Sequence, residues 1–247
     1  MIGALLMREI ITRYGRHGLG FMWLFIEPMM FTLGVTALWT ITKATHGSNL
    51  PVTEFIATGY CTVLLWRNAT ARCLLAIEPN LALLYHHNVR VIDIFAARLL
   101  LEIAGGTISL IVITLTFNGI GWMRAPVDLM TMIIAWLLLT WFTIALGLVV
   151  GALSERSETF ERFWHPVTYL LFPLSGALFM VEWLPARAQK YILWLPMVHA
   201  TEMLRHGYWG NAVRTYEDPA YLMLFSFILF FIGLALVRET GRRVELE

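Results

Sequence analysis

The chain has 247 residues, of which 58% are apolar and 14% charged, and its mean hydropathy is +0.68. Soluble globular chains are usually about 45–50% apolar and about 25% charged, so the composition argues against a water-soluble enzyme. The formal net charge of +1 also gives no reason to expect nucleic acid binding, which needs a clustered basic face.

The first segment, residues 1–20, predicts a helix that lies in the membrane surface. Its arginines, among them Arg8 and Arg13, avoid one side of the helix. Apolar side chains recur near that side, at Ile2, Leu5, Leu6, Ile10 and Tyr14. An amphipathic helix of this kind binds at the lipid–water interface.

Six later stretches predict membrane-spanning helices, since a span needs roughly 20 consecutive apolar residues. Four contain a charge-free run of that order, whereas the first two are interrupted by charged side chains. The six spans are 21–42, 55–77, 95–123, 129–154, 163–182 and 219–237. The chain is therefore predicted to be an all-α membrane protein, with residues 1–247 forming a single transmembrane domain.

Two segments outside the spans are predicted to be structured. Residues 78–94 contain a Pro-Asn pair, an amphipathic turn and two adjacent histidines. Residues 183–216 contain two short apolar pieces, 191–195 and 198–204, which are separated by Pro196. Because these pieces are too short to span a bilayer, they predict a re-entrant helix pair before the last span.

The distribution of basic residues predicts that both termini are cytoplasmic. Ten arginines lie on the side of the termini, at positions 8, 13, 16, 90, 98, 156, 162, 238, 242 and 243. The other side carries six basic residues, at positions 43, 124, 187, 190, 205 and 214. Four of these six lie in the single long segment 183–216, and basic residues in short loops set the orientation.

The sequence lacks the phosphate-binding loop that an ATP-hydrolysing motor requires. That loop needs a lysine in a G-x-x-x-x-G-K-[ST] context, and both lysines, Lys43 and Lys190, lie in other contexts. No zinc-protease motif or nucleophile elbow occurs either. We therefore expect a non-enzymatic chain without a cofactor, whose energy comes from a partner.

The second predicted span carries polar side chains that are candidates for a translocation pathway: Trp66, Arg67, Asn68 and Arg72. A charge at mid-membrane costs at least about 2.5–3.5 kcal/mol, so it normally faces a cavity or a partner. One interpretation is that the two arginines line a path for an anionic substrate. The alternative is structural pairing with Glu27 or Glu102.

The segment 183–216 supplies candidates for a periplasmic gate: Trp194, His199, Glu202 and Arg205. His199, Glu202 and His206 share one helical face, so a metal site is one alternative. A polar face in which Glu202 pairs with Arg205 or His206 is the other. In the fourth span, Gly147 and Gly151 form a small-xxx-small pattern that lets two helices approach closely.

The order of several motifs resembles the type-2 ABC exporter permeases for polysaccharides, and most closely the capsular polysaccharide exporters of Gram-negative bacteria. The resemblance covers nearly the whole chain. It is carried by Arg8-Glu9-Ile10, Arg13-Tyr14, Glu27-Pro28, Glu78-Pro79-Asn80-Leu81, Val91-Ile92-Asp93-Ile94, Leu195-Pro196-Met197-Val198-His199 and Glu202-Met203-Leu204-Arg205 with Gly207.

This resemblance implies a homodimer that works with two copies of a separate cytoplasmic ATPase subunit. It also implies a lipid-linked polysaccharide substrate, a periplasmic adaptor and an outer-membrane channel. The surface helix and the segment after the second span would contact the ATPase. The corresponding side chains here are Arg8, Arg13, Leu84, Tyr85, His86 and Arg90.

Other functions remain open at this point. The same architecture could export O-antigen, teichoic acid or a drug. From a different class, the chain could be a proton-coupled secondary transporter with Glu27 or Glu102 as its proton site. A dimer has independent physical support, because six helices around a wide hydrated path leave few helix–helix contacts, whereas twelve helices can enclose such a path.

Overall fold

The computed structural model describes residues 2–14, 19–42, 50–84 and 89–244. These residues form ten α-helices and short 3-10 turns, and this part of the chain contains no strand. The helices are α1 (Ile2–Tyr14), α2 (Leu19–Thr42), α3 (Val52–Cys73), α4 (Leu81–Leu84), α5 (Val91–Ile120), α6 (Leu129–Ser154), α7 (Glu158–Leu174), α8 (Ala186–Ile192), α9 (Pro196–Trp209) and α10 (Pro219–Val244).

The predicted all-α class is confirmed. By length and apolar composition, three helices within the described residues can cross a membrane: Val91–Ile120, Leu129–Ser154 and Pro219–Arg243. Helices α2, α3 and α7 overlap the remaining predicted spans. The two short apolar pieces fall at the end of α8 and within α9.

Several helix ends differ from the predicted spans, and two of them have a clear local cause. Helix α5 begins at Val91, before the predicted start at 95, because the Asp93 carboxylate accepts the backbone N–H of Arg90 at 3.0 Å and fixes the first turn. Helix α7 ends at Leu174, well before 182. Gly176 follows with a φ of 82°, a conformation that glycine adopts without steric cost, and the chain leaves the helix axis there.

Helices α3, α5, α6, α9 and α10 share the main hydrophobic core. Helix α9 is the most enclosed of them, since all its residues except His206 are buried. Its C-terminal end is held at the start of α6, where the N–H of Asp128 donates to the carbonyl of Gly207 at 2.8 Å. A Cβ on Gly207 would lie 2.5 Å from the backbone nitrogen of Met132, so only glycine allows this approach.

The small-xxx-small pattern in α6 packs against α5 of the same chain. A Cβ on Gly147 would lie 2.6 Å from Leu99, and one on Gly151 would lie 2.3 Å from Phe95. Both glycines are therefore used inside the chain, where they bring α5 and α6 into close contact.

Candidate functional site

A polar cleft of about 440 Å³ opens between α1, the end of α3 and the first turns of α5. Arg98 Nε lies 3.2 Å from Glu9 Oε1, and Arg72 Nε lies 3.5 Å from Glu102 Oε1. Arg98 also donates from Nη1 to the carbonyl oxygen of Arg72 at 2.8 Å. These contacts tie the surface helix α1 to α3 and α5, and we call this region the α1 cleft.

Helix α1 also binds the segment that follows α3. Arg8 Nη1 donates to Asn80 Oδ1 at 2.7 Å, and Asn80 Nδ2 donates to the carbonyl of Ala76 at 2.8 Å. The predicted contact residue Arg8 is thus joined directly to the segment that follows α3. This segment begins with a 3-10 turn, Glu78–Asn80, which continues into α4.

Of the remaining predicted ATPase-contact residues, the structure describes the side chains of Leu84 and Arg90. Leu84 ends α4 and is half-buried, whereas Arg90 is exposed just before α5. Tyr85, His86 and the side chain of Arg13 lie outside the described residues.

The turn after α3 is held by the end of α6. Ser154 Oγ accepts the N–H of Leu75 at 3.2 Å, and Glu155 Oε1 accepts the N–H of Ile77 at 2.7 Å. Leu75 has a φ of 44° and is the one non-glycine residue with positive φ in the described ranges, a conformation that costs roughly 1–2 kcal/mol. Burial raises the pKa of Glu155, and the bond from Ile77 opposes that shift. We call Ser154 and Glu155 the α6 clamp.

The next residue, Arg156, ties α6 to the end of α10. Its Nη1 lies 3.1 Å from Glu239 Oε2, and its Nη2 donates to the carbonyl of Leu236 at 2.8 Å. Arg243 Nη2 also donates to Glu239 Oε1 at 3.0 Å. The ends of α3, α6 and α10 are therefore joined by polar contacts on one side of the molecule.

The four pathway candidates in α3 face different neighbours. Trp66 is fully buried in the hydrophobic core, and Asn68 borders a small cavity next to α5. The Arg67 guanidinium lies 4.9 Å from the ring centre of Tyr169 in α7. Arg72 has the structural partner that one interpretation expected, Glu102. The side chain of Glu27, the other expected partner, lies outside the described part of the chain.

Arg205 is a fully buried charged side chain at the other side of the molecule. Its Nη1 donates to the carbonyls of Gly176 at 2.6 Å and Phe179 at 2.7 Å, and its Nη2 donates to Ala177 at 2.8 Å. The guanidinium also stacks over the Phe55 ring, 4.0 Å from its centre. Arg205 therefore fixes the irregular chain between α7 and α8.

Glu202 and His206 have separate partners. The Glu202 carboxylate accepts the backbone N–H groups of Val181 at 3.2 Å and Tyr216 at 3.3 Å. His206 Nδ1 bonds to the Glu217 carboxylate. Of the two expected partners of Glu202, His206 bonds to Glu217 instead, whereas the charge of Arg205 does interact with Glu202.

The arrangement of His199 does not favour the metal alternative. Its Nδ1 accepts the N–H of Asp218 at 2.9 Å, so the proton lies on Nε2, which donates to the carbonyl of Leu193 at 2.8 Å. Across the described ranges, no three His, Cys, Asp or Glu side chains are grouped to hold a metal ion. Trp194, by contrast, is exposed.

Two carboxylates that accept backbone N–H groups, the first half-buried and the second buried, escaped the sequence-based candidates. One is Glu155; the other is Glu54 in the first turn of α3, which accepts the N–H of Arg124 at 2.9 Å and the indole N–H of Trp209 at 2.8 Å. Both lie at an end of an apolar helix. An acidic residue at such a position is a usable signal, since it can accept backbone N–H groups of a neighbouring segment.

The structure is that of an integral membrane protein of the helical class. It has long apolar helices, the enclosed short helix α9, and polar contacts gathered at the two ends of the long helices. The chain belongs to the ABC-2 type transporter family, which matches residues 1–209. The resemblance found in the motifs is thereby confirmed.

Relatives of the chain cover nearly its full length. It is 47% identical over 245 residues to the capsule polysaccharide export inner-membrane protein CtrC of Neisseria meningitidis serogroup B, covering 99% of this chain and 92% of CtrC. It is 44% identical over 245 residues to the capsule polysaccharide export inner-membrane protein BexB of Haemophilus influenzae, with the same coverage. It is 28% identical over 244 residues to the polysialic acid transport protein KpsM of Escherichia coli, covering 96% of this chain and 92% of KpsM.

Proposed function

We propose that the chain is the transmembrane subunit of an ABC transporter that exports an anionic, lipid-anchored capsular polysaccharide across the bacterial inner membrane. A separate ATPase subunit supplies the energy. The observation that carries this proposal is the similarity to capsule polysaccharide export proteins over 99% of the chain. Polar contacts join α1 to the segment after α3 and to α5. They agree with an ATPase that binds on the side of the chain termini and moves these elements together.

We propose six spans, α2, α3, α5, α6, α7 and α10, with both termini in the cytoplasm. The arginines on the side of the termini support this orientation. Helices α8 and α9 would then form a re-entrant pair on the periplasmic side. In support, the hydroxyls of Thr201 and Thr62 lie 3.2 Å apart, which sets the middle of α9 beside the third turn of α3.

The ATPase would bind α1 and residues 78–90, through Arg8, Arg13, Leu84, Tyr85, His86 and Arg90. The bond between Arg8 and Asn80 supports a single docking surface, because it joins the two segments that the resemblance assigns to the ATPase. The α6 clamp and the α1 cleft then lie between this surface and the spans.

A homodimer would enclose the polymer path between two copies, with Arg67, Asn68 and Arg72 along it. Trp194, His199, Glu202 and Arg205 would shape the exit, the last three by holding the backbone of the re-entrant segment. A periplasmic adaptor and an outer-membrane channel would receive the polymer.

Reconstitution tests the proposal. The chain is co-expressed with a candidate ATPase subunit from the same organism, purified, and reconstituted into vesicles with lipid-linked capsular polymer. We expect a stable complex whose ATP-dependent polymer transport is abolished when the lysine of the ATPase phosphate-binding loop is changed to alanine. Transport by the lone polypeptide driven by a proton gradient would contradict the proposal, as would a complex that hydrolyses ATP and moves no capsular polymer.

A further inference from the structure

The outer side of α8 carries two cations and two aromatic rings in one line. Arg187, Lys190, Tyr191 and Trp194 are spaced i, i+3, i+4 and i+7, so they follow one side of the helix and the turn after it. All four are exposed, Tyr191 at 79% and Trp194 at 77%. Tryptophan side chains are highly buried on average, so this exposure points to a partner. We call these four residues the α8 stripe.

The opposite side of α8 is already packed. Ile192 is buried with Val181 and Val198 in a small hydrophobic cluster. The helix therefore cannot rotate to bury the rings of the stripe without opening that cluster.

The stripe lies level with the start of a membrane-spanning helix. Tyr221, in the first turn of α10, donates from its hydroxyl to the carbonyl of Trp194 at 2.8 Å. Helix α10 is long and apolar enough to cross a bilayer. Its exposed apolar surface begins immediately afterwards, at Met223 and Leu224. The stripe is thus continuous with a lipid-facing surface and lies at its edge.

The side chains of the stripe suit that edge. Tryptophan and tyrosine rings prefer the headgroup level of a bilayer, and long basic side chains reach lipid phosphates from beside it. Within the described residues, neither Arg187 nor Lys190 takes part in an ion pair. Both charges can therefore bind an external anion.

We propose that the α8 stripe docks on the membrane surface, with Arg187 and Lys190 binding the phosphate of an anionic phospholipid headgroup. Tyr191 and Trp194 lie beside that headgroup at the glycerol level. Because α8 is joined to α9, the bound lipid holds the re-entrant segment at a fixed depth. The inference adds a lipid site to the exporter and does not depend on the identity of the cargo.

Lipid titration provides the first test. The purified chain, with its ATPase where the two co-purify, is titrated in detergent with phosphatidylglycerol or phosphatidylcholine, and bound lipid is counted by native mass spectrometry. Each basic residue near an anionic lipid contributes about fivefold to binding. The double variant Arg187→Gln/Lys190→Gln should therefore bind phosphatidylglycerol about 25-fold more weakly, with phosphatidylcholine binding unchanged.

The matched control is Arg124→Gln/Arg214→Gln, which removes the same charge from exposed side chains at the same side of the molecule. It should bind phosphatidylglycerol like the unmodified chain. Equal losses in the two double variants would show a general charge effect and overturn the site. Elution of both variants at the volume of the unmodified chain checks that the fold is intact.

Photo-crosslinking provides the second test. The variant Trp194→p-benzoylphenylalanine is irradiated in vesicles that contain phosphatidylglycerol, and adducts are identified by mass. A phospholipid adduct supports the proposal. Adducts to polymer, to a second copy or to another protein, or the absence of a lipid adduct, would overturn it, while leaving the export function to its own test.

Discussion

Arg205 shows how one side chain makes an irregular backbone possible beside membrane spans. Where water is scarce, unpaired carbonyl groups are costly, so non-helical chain survives only when protein groups satisfy it. The planar guanidinium offers five N–H donors in fixed directions. It satisfies Gly176, Ala177 and Phe179, which leave the helix axis after α7.

We predict that Arg205→Lys destabilises the protein, because one ammonium group cannot reach three carbonyls in a fork geometry. Each carbonyl left buried and unpaired costs about 1–3 kcal/mol. The thermal unfolding midpoint in detergent, followed by tryptophan fluorescence, should fall clearly below that of the unmodified chain. Arg214→Lys, at an exposed site, is the control and should leave the midpoint unchanged; equal shifts in both variants would contradict this role for Arg205.

Arg67 and Arg72 lead to a prediction about transport. We expect Arg67→Ala and Arg72→Ala to reduce capsular polymer at the cell surface, since each removes a positive charge next to the proposed path of an anionic polymer. Assembly with the ATPase and basal ATP hydrolysis should persist. Polymer per permease is measured by immunoblotting.

Arg162→Ala removes an arginine from an exposed ion pair with Glu158 on α7 and is the control for these two variants. Export at the normal level in both Arg67→Ala and Arg72→Ala would remove the arginines from the path. If the Arg72→Ala protein does not accumulate in the membrane, the role of Arg72 is structural, through its ion pair with Glu102.

Sequence reasoning named Glu102 as a candidate partner for the arginines of α3, but it did not find the backbone partners of Arg205. Arg72 stands out because a charge among apolar residues is costly, and that holds in any fold. The partners of Arg72 and Arg205 depend on tertiary packing: Glu102 comes from another helix, and the carbonyls around Arg205 belong to a turn that begins only where α7 stops. Hydropathy and residue spacing alone do not predict such contacts.

The turn after α3 connects the proposed docking surface to the spans. Leu75 is held in a sterically unfavourable conformation, and such a conformation persists only where neighbouring groups fix it. Ser154 and Glu155 supply those groups from the end of α6. The α6 clamp therefore makes the segment after α3 move together with α6.

We predict that Glu155→Ala uncouples ATP hydrolysis from export, because the N–H of Ile77 loses its acceptor and the turn loosens. ATPase activity of the complex should remain while polymer transported per ATP falls. Both quantities are measured in the same vesicles.

Glu155→Gln separates hydrogen bonding from charge, since its amide oxygen still accepts the N–H of Ile77. The Glu155→Gln complex should transport more polymer per ATP than the Glu155→Ala complex. Glu158→Ala, an exposed position three residues further along the chain, should behave like the unmodified protein. If Glu155→Ala and Glu158→Ala transport the same amount of polymer per ATP, the α6 clamp does not transmit movement from the ATPase to the spans.

The elements were predictable to different degrees. Long apolar runs identify α5, α6 and α10 directly, because bilayer thickness sets their length. The helix ends follow local chemistry that hydropathy does not detect, such as the Asp93 carboxylate at the start of α5 and Gly176 after α7. The small-xxx-small pattern was ambiguous for a similar reason. Gly147 and Gly151 could have packed against a helix of a second copy, whereas in the structure they lie next to α5 of the same chain.

At the scale of the whole molecule, α7 is a helix with few buried residues. Of its residues, Trp164 and Thr168 are buried, and its sequence includes two prolines and several charged side chains. Exposed surfaces of α6 and α10 are hydrocarbon and suit lipid. The charged side chains in the first turns of α7, among them Glu158 and Arg162, suit lipid poorly, which favours contact with a second copy and a hydrated path.

We predict that Leu170→Cys crosslinks two copies through a disulfide when the membranes are oxidised, because this exposed position on α7 (67%) would face its symmetry-related partner. A dimer band on a non-reducing gel is the measurement. The two native cysteines, Cys61 and Cys73, are buried and can stay in place.

Leu137→Cys, on the lipid-facing side of α6 and exposed to a similar extent (60%), is the matched control and should remain monomeric on the gel. Crosslinking at Leu137 without crosslinking at Leu170 would move the dimer contact from α7 to α6.

Helix α5 has 30 residues and is about 45 Å long, whereas the hydrocarbon core of a bilayer is about 30 Å thick. Near the start of α5, Phe95 and Leu99 lie against Gly151 and Gly147 of α6. Further along, Thr107 Oγ1 accepts the indole N–H of Trp136 in α6 at 2.9 Å. Contacts at two heights oppose a tilt of α5 against α6. We therefore expect the two helices to move as one rigid rod, so that a displacement at Val91, beside the proposed ATPase surface, would reach Ile120 at the other end of the helix.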